Sequence, residues 1–231
     1  MIRAENVCFS YNRGRLLEGL SFEALPGECV ALAGPNGAGK STVLSLIAGI
    51  TKPVSGRILT EGRIGLIPQG NALFEDMRVE DNLRFFAGLA HSSVPEELPF
   101  SVDAIRGKKV SSLSGGMKKR VSIACALLGD PPVLLFDEPC AGLDILYRDE
   151  LIALIRSLKE QGRTILYVGH DTAEFDSFYD KLIFLADGRP QVFTREQVSG
   201  QPGSANNKAE ALSGFYRRLC REAEEEKRSE V

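Results

Sequence analysis

Apolar positions follow two rhythms along this chain of 231 residues. From Ile2 to Phe9 and from Leu20 to Leu25 they mix with polar residues in short runs, as in half-buried strands, before the turn Pro26-Gly27-Glu28. Cys29 to Ala33, Val133 to Phe136 and Thr164 to Val168 are short continuous apolar runs, the pattern of strands buried on both faces. Between these runs Leu44, Ile47 and Ala48 keep helical spacing with Gly49 near the end. Leu151, Leu154, Ile155 and Leu158 do the same, with Gly162 as the stop. Strands alternating with helices predict an α/β fold with a mainly parallel sheet and crossover helices.

Residues 70–128 break this alternation. Helical patterns run from Val79 to Leu89 and from Met117 to Leu128, with a Pro- and Ser-containing loop from about His91 to Ser101, so the segment reads as an inserted helical lobe. Ser199 to Ser204 reads as a linker, and Leu212, Phe215, Tyr216 and Leu219 share one face of a following helix whose charged last residues are expected to fray. The expected organisation is one domain over 1–231. Residues 1–69 and 129–198 form the core, 70–128 the inserted lobe, and 199–231 the linker and C-terminal helix.

Composition adds mainly exclusions. The chain is 43% hydrophobic and 26% charged, enough to bury a core, and its net charge of -3 gives no broad basic field for DNA or RNA. Five cysteines (Cys8, Cys29, Cys125, Cys140, Cys220) lie scattered without CxxC spacing, so neither a disulfide framework nor a zinc site is expected, and a reducing cytosol fits. No stretch approaches the roughly 20 apolar residues that cross a bilayer, and the N-terminus lacks the apolar run of a signal peptide.

The candidate chemistry starts at Gly34-Pro35-Asn36-Gly37-Ala38-Gly39-Lys40-Ser41, which fits GxxxxGK[ST] between a buried strand and a helix. The glycines let backbone N–H groups turn toward phosphates, and the helix N-terminus adds partial positive charge. Lys40 is expected to reach the β- and γ-phosphates, and Ser41, with Thr42 beside it, to offer a hydroxyl to Mg2+. Asp137, ending a neighbouring apolar run, is the expected carboxylate ligand of that ion. Glu138 follows as the acid that would polarise the attacking water. Alone, two adjacent acids after a strand could be a solvated turn; beside the phosphate loop they gain a partner.

Leu113-Ser114-Gly115-Gly116-Met117 narrows the class, because phosphate-loop proteins in general do not need it. With Tyr11, GPNGAGKST, Gln69, LSGGM, VLLFDE, AGLD and His170 in order along almost the whole chain, the sequence resembles the ATP-binding-cassette (ABC) ATPases. The resemblance implies a phosphate-loop NTPase core with an N-terminal antiparallel β subdomain and an inserted helical subdomain. It also implies a head-to-tail dimer in which each ATP lies between one cassette's phosphate loop and the other's Ser114, Gly115 and Gly116. Tyr11 would stack on adenine, unless it is a core aromatic. Gln69 would sense Mg2+ and the γ-phosphate and link to the lobe. Asp144 would organise the dimer interface, and His170 would hydrogen-bond the γ-phosphate and position Glu138 and the water.

Three positions depart from the family's pattern: Met117 for glutamine, Cys140 for Ser or Thr, and Cys125 for arginine. The lobe is short between Leu89 and Lys108, so its docking surface transfers least. Lys118-Lys119-Arg120 reads as a solvated face without assigned function. The function implied is the ATP-hydrolysing subunit of an ABC membrane transporter, held at the inner face of the cell membrane by a transmembrane permease subunit and paired with a second ABC ATPase subunit. The lack of a long C-terminal regulatory domain leans toward export. A soluble single-cassette ATPase of a non-transport assembly, such as iron–sulfur cluster assembly, is the alternative; a regulatory binder that does not hydrolyse is disfavoured by Glu138 and His170. No nucleic-acid partner is expected.

Overall fold

The computed structural model describes residues 1–11, 14–169, 171–200 and 208–229. The chain begins with strands β1 (Ile2–Tyr11), β2 (Gly14–Ala24) and β3 (Cys29–Ala33), then helix α1 (Lys40–Ile47) and strands β4 (Ser55–Thr60) and β5 (Ile64–Ile67). Helices α2 (Val79–Leu89) and α3 (Gly115–Leu127) precede β6 (Val133–Asp137), α4 (Ile145–Glu160), β7 (Thr164–Val168) and the short α5 (Thr172–Phe175). A hairpin of β8 (Lys181–Ala186) and β9 (Arg189–Thr194) leads to α6 (Arg195–Ser199) and α7 (Lys208–Ser229).

Two sheets form. β2-β1-β4 is antiparallel, and the six-stranded sheet runs β5-β6-β7-β3-β8-β9, parallel from β5 to β8 with β9 antiparallel at one edge. Every residue of β3, β6 and β7 is buried, as continuous apolar runs require, and successive side chains serve different cores. Cys29, Ala31 and Ala33 join Leu134, Phe136, Ile165 and Tyr167 in a core shared with the lobe, α4 and α7. Val30 and Leu32 join Val133, Leu135, Leu166 and Val168 in a second core with α1 and the antiparallel sheet. Because β6, β7 and β3 are parallel neighbours, the loops leaving their C-terminal ends lie side by side, where open α/β sheets bind ligands.

The structure extends the expectations from sequence and corrects one of them, the solvated face at Lys118-Lys119-Arg120. α2 covers the predicted Val79–Leu89, and the stretch before Lys108 holds only a 3-10 segment, Pro99–Ile105, with Phe100 and Ser101 in left-handed conformation (φ 61° and 51°). The C-terminal residues expected to fray belong to a 22-residue helix. α7 is anchored by buried Leu212, Phe215 and Leu219, with Phe215 edge-on to Phe193 at 4.9 Å and Tyr216 against Phe184 at 5.8 Å. The Lys118-Lys119-Arg120 cluster is no solvated face. Lys118 pairs with Glu75 at 2.6 Å, Lys119 is 3% exposed, and the Arg120 guanidinium lies 3.7 Å from the centre of the Tyr147 ring. The missed β8–β9 hairpin had a signal, Asp187-Gly188, whose left-handed pair (φ 45° and 78°) suits a two-residue turn.

Candidate nucleotide site

The phosphate loop joins buried β3 to α1 and depends on glycine at its entry. Gly34 has φ +151°, and a Cβ there would stand 2.0 Å from the carbonyl oxygen of Leu185. Gly37 and Gly39 are left-handed, at φ 80° and 102°. Gly39 caps α1 with no side-chain acceptor, so the first N–H groups of the helix face outward as donors suited to an anion. Pro35, Asn36 and Gly37 are exposed, and Ala38 is buried.

Lys40 is 6% exposed, its ammonium donating to the carbonyls of Gly34 and Pro35 at 2.9 Å each. With three protons on that nitrogen, one remains for a phosphate oxygen. Burial lowers the Lys40 pKa, while the charges of Glu138 and Asp137 oppose the shift. Ser41 follows on the exposed side with half-buried Thr42 next to it.

Asp137 ends β6 and is 8% exposed. Burial pushes its carboxyl pKa up; the Ser41 hydroxyl, donating to it, pulls it down. Its Oδ1 is buried without a hydrogen-bond partner. An orphaned buried carboxylate oxygen beside a serine hydroxyl is a donor set that a hard divalent cation would complete.

Glu138 stands next in the chain with a left-handed backbone (φ 48°), a conformation uncommon for a non-glycine residue. Its N–H donates to the carbonyl of Val168 at 3.0 Å, tying the exit of β6 to that of β7. Its Oε2 accepts from the side-chain amide of Gln69 at 2.9 Å. The fold thus gathers Gly34–Ser41, Gln69, Asp137 and Glu138 beyond the C-terminal ends of β3, β5 and β6 in one parallel sheet. His170 lies outside the described residues.

Lys119 is the residue that sequence reasoning missed. From α3 its ammonium donates to the carbonyls of Pro68 at 2.8 Å and Gln69 at 3.1 Å. Burial lowers its pKa, and Asp137, Cys140 and Glu138 oppose that shift. Two buried lysines therefore flank the carboxylate pair, one from the phosphate loop and one from α3. A signal was present, since Lys119 is three and four residues before Ser122 and Ile123 on the buried face of α3.

Ser114 caps α3 by accepting the N–H of Met117 at 3.3 Å, leaving exposed Gly115 and half-buried Gly116 as the first residues of the helix. A Cβ on Gly116 would approach the carbonyl oxygen of Gly142 to 3.2 Å, so this helix start packs against the segment leading to Asp144. Asp144 itself caps α4, accepting the N–H of Tyr147 at 3.2 Å. Tyr11, at the end of β1, is 58% exposed with its ring at right angles to Phe9, 4.8 Å between centroids; it is not a core aromatic. Cys140 joins a buried chain. Tyr167 donates its one proton to Glu174 at 2.7 Å, so the Cys140 thiol donates to the Tyr167 oxygen at 3.4 Å. Arg148 donates to the other oxygen of Glu174 at 2.7 Å.

A glycine loop between a buried parallel strand and an uncapped helix start, with Asp137 and Glu138 at the end of β6 on the far side of β7, defines a phosphate-loop nucleoside triphosphatase. Comparison with known proteins narrows this. The family model described as ABC transporter matches residues 17–141, and the chain belongs to that family as a nucleotide-binding ATPase cassette. It is 38% identical over 208 residues to the Nod factor export ATP-binding protein I of Paraburkholderia xenovorans, covering 81% of this chain and 68% of that one. It is 33% identical to the linearmycin resistance ATP-binding protein LnrL of Bacillus subtilis, over 81% of this chain and 67% of the relative. The chain thus spans about two thirds of the length of these curated relatives. Among solved structures, it resembles an ATP-binding subunit of an ABC transporter at 29% identity and TM-score 0.84, covering 95% of this chain and 99% of the other. It also resembles a dimeric ATP-binding cassette in a post-hydrolysis state with ADP and Pi, at 26% identity and TM-score 0.72, covering 84% and 98%.

Proposed function

We propose that this chain hydrolyses ATP to ADP and phosphate as one of two paired cassettes and so drives a membrane transporter, in the direction of export. The observation that carries the reading is the carboxylate pair. Asp137 has a buried oxygen without a hydrogen-bond partner beside the Ser41 hydroxyl, and Glu138 is held by Gln69. Lys40 and the N–H groups at the start of α1 would bind the β- and γ-phosphates. Mg2+ would be held by Ser41, Gln69 and Asp137, and when bound it neutralises charge on the β- and γ-phosphate oxygens. Glu138 would orient and deprotonate the attacking water, with His170 positioning both, and Tyr11 would stack on the adenine ring.

Ser114, Gly115 and Gly116 of a second cassette would complete each site, with Asp144 at the interface, because the Ser114 cap takes the N–H of Met117 and leaves those of Gly115 and Gly116 at the helix start for an anion. No helix among the described residues is long and apolar enough to cross a membrane. The spanning pathway would therefore belong to a permease partner, with the cassette at the inner face of the membrane. Relatives named for Nod factor export support the export direction. Residues 1–69 and 129–198 would act as the nucleotide-binding body, 70–128 as the lobe that meets the permease, and 199–231 as the C-terminal extension.

Mixing two inactive variants tests the shared site. Lys40→Ala lacks the phosphate-loop cation and Ser114→Arg lacks the opposing helix start, so each is expected to be inactive alone. A mixed dimer contains one site with both parts intact and should recover turnover. An inactive mixture, or full activity of Ser114→Arg alone, contradicts the paired-cassette reading.

A further inference from the structure

We propose that Lys119 is a positioning residue for hydrolysis, fastening the backbone of Gln69 to α3 so that the start of that helix and the carboxylate of Glu138 move as one unit. The inference rests on the ATPase reading above and adds to it a residue and a route.

Each link is a hydrogen bond. Ser114 caps the N-terminus of α3, and Lys119 leaves the same helix five residues later. Its ammonium reaches across to the connection that follows β5, donating to Pro68 and Gln69 carbonyls at 2.8 and 3.1 Å. The side chain of that same Gln69 donates to Glu138 at 2.9 Å. Gln69 is exposed, and a long exposed side chain aims poorly unless its backbone is fixed. Lys119 does the fixing from a buried position, 3% exposed.

Charge favours the same arrangement. A buried ammonium is costly unless its protons are bonded and opposite charge is near, and Asp137 and Glu138 supply that charge. A neutral side chain of similar length would fill the space but lose both carbonyl bonds. The segment 68–73 would then be free to shift, and Gln69 would hold Glu138 for only part of the time. Nucleotide contacts at Lys40 and the α1 start lie on another loop and would persist. The expected signature is therefore loss of turnover without loss of binding.

The experiment compares wild type, Lys119→Met, Lys119→Arg and Lys118→Met, the last a control whose ammonium pairs only with Glu75 among the described residues. In Lys119→Met, kcat should fall about ten- to hundredfold while KM and the Kd for ATP stay within about twofold. Lys119→Arg should restore part of the rate, and Lys118→Met should match wild type. Adding Lys119→Met to Gln69→Ala should cost nothing further, since without the Gln69 side chain the anchor on its backbone no longer reaches Glu138. Wild-type kcat in Lys119→Met, or multiplicative losses in the double variant, overturns the proposal. Equal losses of kcat and ATP affinity reduce Lys119 to a structural residue and overturn it too. Amide hydrogen exchange across 68–73 gives a readout independent of turnover. It should rise several-fold in Lys119→Met and stay unchanged in Lys118→Met. If wild type hydrolyses no ATP, the ATPase reading fails while exchange still decides whether Lys119 anchors Gln69; unchanged exchange refutes the anchor.

Discussion

The side-chain amide of Gln69 donates to Oε2 of Glu138 at 2.9 Å, joining two residues that are 69 positions apart in the chain. The bond fixes the carboxylate from the side of the inserted lobe. It also makes the carboxylate sensitive to the backbone that carries Gln69, which the lobe holds from α3.

Glu138→Gln keeps the shape of this side chain and its place beside Gln69 but removes the base. Phosphate release should fall by about 100- to 10,000-fold while ATP binding is retained, giving a stable nucleotide-bound dimer on size-exclusion chromatography. Brisk phosphate release by the variant would take Glu138 out of its assigned role.

Lys40→Ala removes a buried ammonium that holds two loop carbonyls and has a proton to spare. A charge-assisted hydrogen bond is worth about 1.5–3 kcal/mol, so ATP affinity should drop about 10- to 150-fold by equilibrium titration. Unchanged affinity would place the phosphates elsewhere.

Asp137→Asn should separate stability from activity. Burial raises the Asp137 pKa, so the folded state binds this proton more tightly than the unfolded chain does. The resulting penalty is absent below the ordinary Asp value of about 3.9, grows as pH rises toward the folded pKa, and is complete above it. Asparagine carries no such penalty. Melting should therefore rise by about 2–4 °C at pH 7.5, for roughly 1 kcal/mol regained, with a gain that shrinks as pH falls through the folded pKa and vanishes below the ordinary Asp value, while Mg2+-dependent hydrolysis is lost. A lower melting temperature at pH 7.5 would show that Asp137 stabilises the fold.

Gly34→Ala places a methyl group 2.0 Å from the Leu185 carbonyl oxygen at a φ of +151°. Backbone must move to relieve this, at a cost of about 2–4 kcal/mol and a melting drop of about 4–16 °C by calorimetry. A variant melting like wild type would mean that β8 gives way freely.

The runs CVALA, VLLFD and TILYV were legible because strands buried on both faces need apolar side chains at every position, a pattern that survives without any knowledge of neighbours. The phosphate loop was legible for a related reason. Its glycines answer a local demand of the backbone, and the lysine and serine that follow are fixed by the start of a helix. Lys119 was misread because charge alone suggests solvent, whereas the carbonyls that receive it belong to residues 50 and 51 positions away. The apolar face of the C-terminal helix was legible from its spacing, whereas its partners, Phe193 of β9 for Phe215 and Phe184 of β8 for Tyr216, came only with the packing.

The sequence by itself determined the nucleotide chemistry. Gly34, Gly39, Lys40, Ser41, Asp137 and Glu138 are dictated by short-range rules of turn, helix start and strand end. Only the tertiary structure decided how these parts are connected. It set Gln69 against Glu138, left one oxygen of Asp137 unbonded, and brought a second buried lysine to the carboxylate pair. Those relationships depend on the order of strands in a parallel sheet and on how the inserted lobe packs against it. Distances between remote segments follow from packing, and no local pattern of residues encodes them.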